Sequence, residues 1–295
     1  MSFSLPDVSL LSLDFQLDQI PTAPPEEQKI PKKILKAELE AEQLLLSEFQ
    51  ARLYAHGRYG VLVCLQGMDS SGKDSLVREV FKDFNARGMV AHSFKKPTEQ
   101  EYRHDFLWRH YAALPERGKF SVFNRSHYEN VLITRVHPEL ILQERLPHLT
   151  KIEQITDDFW DERLNQIKNF ENHITKNGII IFKFFLHISK YEQKKRLIRR
   201  LEHPQRRWKY DPSDISERQH WDKYQQYTVD AILKTHTKSA PWYIIPSDSK
   251  PLSRLLVARV LRERLSTYTE IKEPDWNPKT QGDWAEARAV LERLT

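Results

Sequence analysis

The composition of the 295-residue chain excludes several classes of protein. A single cysteine cannot form an internal disulfide, which excludes a disulfide-stapled secreted scaffold. With 39% hydrophobic and 11% aromatic residues the chain can bury a core, which excludes extensive disorder. The 46 Lys and Arg exceed the 41 Asp and Glu by a formal charge of +5, a surplus too small to indicate a nucleic-acid partner.

The N-terminal end predicts a cytoplasmic protein without a membrane partner. Its first residues contain no basic segment and are interrupted by Asp7, Asp14 and Asp18, which argues against a signal peptide. The apolar runs of the chain, such as those at 179–182 and 184–186, fall far short of the ~20 residues that cross a membrane. Residues 1–31 are acidic and punctuated by proline, and we interpret them as an extended arm.

After the arm, helical and strand patterns alternate. Helices are expected at 31–56, 73–86, 99–114, 128–136, 152–176, 190–201, 214–234 and 252–268, and strands at 61–65, 89–94, 120–123, 179–187 and 241–246. The uninterrupted apolar run at 61–65 is typical of a parallel strand that is covered on both faces. The alternation predicts one domain over 32–268, with a parallel central sheet and helices on both faces, followed by a C-terminal tail at 269–295 that covers the surface.

The sharpest motif follows the first strand, where residues 67–74 read GMDSSGKD and match G-x-x-x-x-G-K, the phosphate-binding loop. Its backbone N–H groups, with those of the following helix, converge on phosphate oxygens. Gly67 and Gly72 provide conformations that other residues resist. Lys73 provides the charge that neutralises a phosphoryl group in transit.

The loop departs from the usual pattern at the position after Lys73. A Ser or Thr normally binds Mg²⁺ there, but this chain has Asp74, followed by Ser75. Asp69, inside the loop, is a suitable oxygen ligand for the metal, and its alternative role is that of a turn former. The predicted phosphate- and nucleotide-binding residues are Gly67, Met68, Ser70, Ser71, Gly72, Asp74, Ser75 and Asn124.

The strand at 120–123 ends in a second polar motif. Enzymes that transfer phosphoryl groups usually have an acidic metal ligand at this point, and Asn124 occupies it here. The planar guanidinium of Arg125 can bind two phosphate oxygens. Glu129, one helical turn further on, is either a ligand of the metal or its water, or an i,i+4 partner of a neighbouring base. No His or Cys spacing in the sequence is typical of structural zinc.

The region from Lys183 to Lys209 contains ten basic and only two acidic residues. Arg196 and Arg200 lie four residues apart on one helical face, where like charges repel, so an anionic ligand would stabilise the face. The alternative is a solvated basic helix. We predict a helical lid at about 190–225 that closes over phosphates or follows a linear polyphosphate by charge. The predicted polyphosphate-binding residues are Lys195, Arg199, Arg206, Arg207 and Lys209.

Several segments resemble the family-2 polyphosphate kinases. The similar segments, at 68–74, 123–132, 135–138, 208–210, 217–221 and 240–246, span about residues 32–265. The form Asn-Arg-Ser-His-Tyr-Glu at 124–129 is most similar to the subgroup that phosphorylates both nucleoside mono- and diphosphates. The chain departs from the family at 70–71, where two serines replace the usual alanines, at Ser75, which replaces a glycine, and at 251–252.

The resemblance implies a thymidylate-kinase-like P-loop kinase fold, a three-layer α/β/α sandwich with a mobile lid. It implies reversible transfer of the terminal phosphoryl group of inorganic polyphosphate to AMP or ADP, and to GMP or GDP, with Mg²⁺ or Mn²⁺ as cofactor. A homodimer or homotetramer is implied as well. The implied catalytic residues are Asp69, Lys73, Arg125, Glu129, Arg196 and Arg200, with Asp69 and Glu129 at the metal.

Two other functions are compatible with parts of the sequence. An ATP-dependent nucleoside or nucleotide kinase of the same fold keeps the phosphate loop but does not require the basic region. A non-catalytic protein that binds polyanions or nucleic acid explains the basic region but leaves the loop without a role.

Overall fold

The central feature of the computed structural model is a five-stranded parallel sheet. The structure describes residues 15–274 and 278–294, without the side chains of 206, 208, 209 and 278–283. The strands are β1 (Gly60–Gln66), β2 (Met89–Ser93), β3 (Phe120–Asn124), β4 (Ile179–His187) and β5 (Trp242–Pro246). Their order is β2-β3-β1-β4-β5, and all neighbours are parallel, which confirms the predicted sheet.

Helices cover both faces of the sheet. The helices are α1 (Lys32–His56), α2 (Lys73–Val80), α3 (Trp108–Ala112), α4 (Glu129–Val136), α5 (Asp157–Lys176), α6 (Lys190–Glu202), α7 (Ser213–Gln219), α8 (Trp221–Thr235), α9 (Lys250–Leu265) and α10 (Pro278–Arg293). The core on one face contains residues of α1, α2 and α9, and the core on the other contains residues of α4, α5 and α8. This arrangement is the predicted three-layer α/β/α sandwich.

The apolar run in β1 is buried on both of its faces. Val63 and Leu65 belong to the core beneath α1 and α9, whereas Leu62 and Cys64 belong to a core on the opposite face. Successive strand side chains point to opposite faces, so a strand at the centre of a sandwich has no polar face. Cys64 is fully buried, and burial raises the pKa of its thiol well above the usual value.

Two predicted helices were wrong in length, and in both regions a side chain binds backbone groups outside the helix, one from a neighbouring residue and one from a distant helix. The segment at 99–114 contains a 3₁₀ turn at Glu101–Arg103 and then only the short α3. Asp105 interrupts it by accepting a bond from the Leu107 amide at 2.9 Å. Helix α2 ends at Val80 instead of residue 86, and Gln50 of α1 binds the backbone of Asn85 beyond it in both directions.

Other predicted boundaries also moved. The predicted helix at 214–234 is two helices, α7 and α8, separated at His220, and α5 begins at Asp157 rather than at residue 152. The tail contains α10, which the sequence pattern did not predict, whereas residues 275–277 and 295 lie outside the described part of the chain. Among the described residues, no helix is long and apolar enough to cross a membrane.

The second half of the predicted N-terminal arm packs into the domain. Residues 1–14 lie outside the described part of the structure. Phe15, Leu17 and Ile20 are buried in the core that includes α4 and α8. Thr22 donates a hydrogen bond to Asp248 at 2.8 Å, which fastens the arm beside the end of β5.

Candidate active site

The phosphate loop lies between β1 and α2, as the sequence predicted. Its backbone has positive φ at Gly67 (145°), Ser70 (64°) and Gly72 (116°). A Cβ atom on Gly67 would lie 2.8 Å from the carbonyl oxygen of Leu186 in β4, whereas a Cβ on Gly72 would meet nothing closer than 3.7 Å. Gly67 is therefore required both for its conformation and for the close approach of β4.

Lys73 begins α2 and its side chain folds back over the loop. The ammonium group is buried and donates hydrogen bonds to the carbonyl oxygens of Gly67 and Met68, the latter at 3.3 Å. Burial, followed by the positive charge of Arg125, lowers the pKa of Lys73, and the carboxylate of Asp69 opposes this shift. A buried cation of this kind would be stabilised by an anionic ligand in the loop.

Arg125 brings the two predicted metal ligands together. Its Nη2 donates to Asp69 Oδ1 at 2.6 Å, and its Nη1 lies 3.8 Å from Glu129 Oε2. The charge of Glu129, and then that of Asp69, raises the pKa of Arg125 against the effect of burial. Glu129 is thus the i,i+4 partner of a base, and it shares that base with the other predicted metal ligand, Asp69.

Two further predicted residues, Asn124 and Asp74, are hydrogen-bonded to each other. Asn124 donates a hydrogen bond from Nδ2 to Asp74 Oδ1 at 2.7 Å, which links the end of β3 to the start of α2. The hydroxyl of Ser75 donates to the carbonyl oxygen of Gly72 at 2.9 Å. Within the described ranges, no three His, Cys, Asp or Glu side chains form a cluster that could hold a metal alone.

Helix α6 docks onto the phosphate loop through Arg196. Its Nε donates to Glu192 at 2.8 Å, and its Nη1 donates to the carbonyl oxygens of Ser70 and Ser71 at 3.1 and 2.8 Å. Its Nη2 donates to the carbonyl oxygens of residues 247 and 248 at 2.6 and 2.9 Å. One guanidinium therefore joins the loop to the segment between β5 and α9.

Arg200 and Gln193 extend this contact along one face of α6. Arg200 donates to the hydroxyl of Ser70 at 2.8 Å and also bonds the Asp214 carboxylate of α7. Gln193 donates to the carbonyl oxygen of Asp69 at 3.1 Å. Gln193 was not among the predicted site residues, although its position three residues before Arg196 and seven before Arg200 places it on their face.

The five predicted polyphosphate-binding residues have different surroundings from the predicted catalytic arginines of α6. Lys195 and Arg199 are exposed on α6, and the exposed Arg207 donates to the carbonyl oxygen of Leu201 at 2.9 Å. The side chains of Arg206 and Lys209 lie outside the described part of the structure.

One residue counted in the basic region does not belong to its surface. Lys183 was assigned to that region by sequence position, but it is fully buried in β4 and paired with Glu171 at 2.6 Å. Its place in an apolar strand, with side chains that alternate between two covered faces, explains the difference.

A second set of contacts, which was not predicted, joins α7 to α8 and to the residue directly after α4. The ring Nε2 of His137 lies 2.9 Å from Glu217 Oε1, and the hydroxyl of Tyr224 donates to Glu217 Oε2 at 2.6 Å. Burial, followed by the bond to Glu217, raises the pKa of Tyr224, which keeps its hydroxyl protonated as a donor. These bonds hold the α7 part of the predicted lid against the body.

A cavity of about 600 Å³ lies between the segment at 104–107, the loop at 144–148 and the first turns of α5. Arg163 forms one wall, with its guanidinium 4.2 Å from the Phe106 ring centroid and 4.9 Å from that of Phe159. Both of its terminal nitrogens donate to Glu144 at 2.7 Å. The cavity is of the size typical of small-molecule sites, ~300–1,000 Å³, and combines aromatic rings with polar groups.

Comparisons with known proteins agree on one family. The profile of polyphosphate kinase 2 (PPK2) matches residues 29–273. An ADP-polyphosphate phosphotransferase of Rhodopseudomonas palustris is 41% identical over 83% of this chain and 84% of that protein, and an AMP/ADP-polyphosphate phosphotransferase of Meiothermus ruber is 42% identical over 78% and 81%. The crystal structure of polyphosphate kinase 2 from Arthrobacter aurescens TC1 matches with a TM-score of 0.83 at 32% identity, over 99% of both chains.

Proposed function

Because the chain belongs to the polyphosphate kinase 2 family, we propose that it transfers the terminal phosphoryl group of inorganic polyphosphate to a nucleotide. AMP and ADP are the proposed acceptors, with GMP and GDP as further ones, and the transfer is reversible. The observation that carries the proposal is the convergence of Lys73, Arg125 and Asp69 at a phosphate loop to which a basic helix is docked.

The residues of the loop and its neighbours perform the transfer by positioning and charge neutralisation. Phosphoryl transfer passes through a loose transition state with charge on the transferred oxygens, so no covalent enzyme intermediate is required. Backbone N–H groups of the loop hold these oxygens in place. Lys73 and Arg125 neutralise the charge, and on binding phosphate Arg125 exchanges its carboxylate partners for phosphate oxygens.

The donor set around Arg125 fits Mg²⁺, and Mn²⁺ as its substitute. Mg²⁺ is usually held by one or two carboxylates, with waters and substrate phosphates completing an octahedron. Asp69 and Glu129 provide two carboxylates around one guanidinium, and Asn124 is bonded to Asp74 instead. When bound, the metal would neutralise charge on the phosphoryl oxygens.

The metal proposal has a direct test in Glu129→Gln. This variant should raise the Mg²⁺ concentration for half-maximal activity ~10-fold or more, because one charged ligand is lost. Glu153→Gln, an exposed glutamate, is the control and should leave the requirement unchanged. An unchanged requirement in Glu129→Gln would remove Glu129 from the metal site.

Polyphosphate would approach along the exposed side of α6. Lys195 and Arg199 lie on that side, whereas Arg196 and Arg200 point toward the loop. A linear polyanion is bound mainly by charge and displaces counterions, so sequence or length recognition is not needed.

We place the nucleoside of the acceptor in the cavity beside Phe106 and Arg163. Leu107, which lines the same cavity, packs against the core that contains the start of α4, so the cavity adjoins the element that carries Glu129. Phe106→Ala should raise the KM for AMP several-fold and leave the KM for polyphosphate unchanged. Equal effects on both constants would exclude this placement.

The function is tested by supplying polyphosphate as the sole phosphoryl donor, with AMP or ADP and Mg²⁺, and separating the nucleotides formed. Appearance of ADP or ATP supports the proposal. Activity with ATP as the only accepted donor would instead identify an ATP-dependent kinase. Lys73→Ala should abolish turnover, whereas Lys82→Ala, which changes an exposed lysine, should retain it. If the unmodified protein bound polyphosphate without turnover, it would be a non-catalytic binding protein.

We also propose that the protein acts in the cytoplasm as a homodimer or homotetramer. Light scattering of the purified chain measures the assembly, and a monomer at working concentration would refute this part alone.

A further inference from the structure

A charged network is buried between the sheet and the helices on the α5 side. Lys183 in β4 is fully buried, and its Nζ donates to Glu171 Oε2 at 2.6 Å, to the Thr235 carbonyl oxygen at 2.8 Å and to the Tyr128 hydroxyl oxygen at 3.1 Å. The Tyr128 hydroxyl donates to Glu171 Oε1 at 2.7 Å, and the His127 ring lies 3.0 Å from the same oxygen. The network thus joins β4, α5, α8 and the segment before α4.

Stability alone is a weak reason for such a network. Removing two charges from water costs about as much as their attraction returns, and apolar side chains of similar size are often as stabilising. Burial, the largest effect, would raise the pKa of Glu171, but the charge of Lys183 and the bond from His127 bring it below its ordinary value. The carboxylate is therefore ionised and binds its three donors firmly.

The segment that the network holds also carries the groups of the active site. Tyr128 directly precedes Glu129 and follows Arg125 by three residues. Arg125 has a φ of 62°, a left-handed conformation that is unfavourable for a residue with a side chain and persists only where its surroundings impose it. On one side its amide is fixed by a bond to the Leu65 carbonyl oxygen at 3.2 Å. On the other side three fully buried residues with hydrogen-bonded polar groups follow, Ser126, His127 and Tyr128, and the last two both contact Glu171.

We infer that the Tyr128 hydroxyl, held by Glu171 and Lys183, is a positioning device that fixes residues 125–129 so that Arg125 and Glu129 face the phosphate loop. Tyr128 itself does not reach the reacting groups, because its ring packs in the core with its centroid 4.6 Å from that of Trp242. The inference rests on the proposed phosphoryl transfer, since its effect is on the placement of Arg125.

Tyr128→Phe tests the inference because it removes one oxygen atom and keeps the buried ring. Misplacement of a catalytic group by about 1 Å can reduce turnover ~100-fold, so we expect kcat to fall ~10- to 100-fold while the KM values for AMP and polyphosphate change less than about threefold. Tyr243→Phe is the matched control. Its ring packs against Phe184 on the opposite face of the sheet and its hydroxyl interacts with Arg264, far from α4 in the fold.

We expect both variants to lose thermal stability, but only Tyr128→Phe to lose kcat. Unchanged kcat in Tyr128→Phe, or an equal loss in Tyr243→Phe, would overturn the inference. If Tyr128→Phe does not fold, Glu171→Gln removes the charged acceptor at constant volume and should lower kcat in the same way.

A crystal structure of Tyr128→Phe separates this inference from the proposed function. We expect Arg125 to leave its left-handed conformation and to lose its 2.6 Å contact with Asp69. If Arg125 kept its left-handed conformation and its contact with Asp69, the positioning role would be refuted, even if the unmodified protein phosphorylated no nucleotide. If Tyr128→Phe lost both features while the unmodified protein had no polyphosphate-dependent activity, only the proposed function would be refuted.

Discussion

Arg196→Lys separates two roles of the Arg196 guanidinium: holding the phosphate loop against α6, and binding phosphoryl oxygens. The arginine has five N–H groups and donates to Glu192 and to four backbone carbonyl oxygens, two in the phosphate loop and two after β5. Lysine keeps the charge but has only three N–H groups at a single point, so at least two acceptors lose their donor.

The expected loss of stability follows from this difference. A hydrogen bond to a charged group contributes about 1.5–3 kcal/mol, and the side chain is only 9% exposed, so water replaces the lost donors poorly. Allowing for partial relaxation, two lost bonds correspond to about 2–4 kcal/mol. For a chain of this size each kcal/mol lowers the Tm by ~2–4 °C, so we expect a decrease of roughly 5–15 °C.

The assay is thermal unfolding of Arg196→Lys beside Arg199→Lys, which makes the same change at an exposed position of the same helix. The control should unfold at the temperature of the unmodified protein. If Arg196→Lys also kept its Tm but lost most of its kcat, the guanidinium would act on phosphoryl oxygens rather than on the loop. Such a result would refute a stabilising role for the five hydrogen bonds of Arg196.

Further outcomes are expected for Gly67, Lys73 and Arg199. Gly67→Ala should destabilise the protein more than Gly72→Ala, because both have positive φ but only the first Cβ meets a carbonyl oxygen at 2.8 Å; equal Tm values would contradict this. The pKa of Lys73 is lowered from 10.5, so kcat/KM for polyphosphate should begin to fall at a pH below 10.5, as the ammonium deprotonates. Lys73→Arg should move this fall to higher pH. In that pH range Lys73 binds more protons in the unfolded chain than in the folded one, so the free energy of unfolding should rise with pH. A fall attributable to Lys73 would mean that folding raises its pKa instead. Arg199→Ala should make the salt dependence of polyphosphate binding shallower by roughly 0.7 in log–log slope, with the exposed Lys168→Ala as control; equal slopes for the two would remove α6 from the binding surface.

The sheet and the phosphate loop could be predicted because their signals are local. An apolar run of strand length, two glycines and a lysine at fixed spacing specify β1, the loop and the start of α2. Helix lengths were predicted less well where a distant side chain decides the end. Gln50 binds the backbone of Asn85 across 35 residues, and no pattern within α2 reports that bond.

The partners of charged residues were the least predictable part of the site. Spacing placed Arg196 and Arg200 on one face of a helix, but it does not distinguish a phosphate from the carbonyl oxygens of a neighbouring loop as the acceptor. Lys183 entered the basic region only by its position in the chain. Its carboxylate partner lies twelve residues earlier in a different element, and the pairing exists only once β4 and α5 have packed.

The burial of Cys64 has a practical consequence for measuring motion in this protein. Thiol reagents attack the thiolate, and a fully buried thiol with a raised pKa provides almost none at neutral pH. Cysteines introduced at exposed positions, such as Lys194 on α6 and Lys168 on α5, can therefore be labelled selectively with fluorophores without first removing the native one. Energy transfer between them would follow the distance from α6 to the body during a single catalytic cycle.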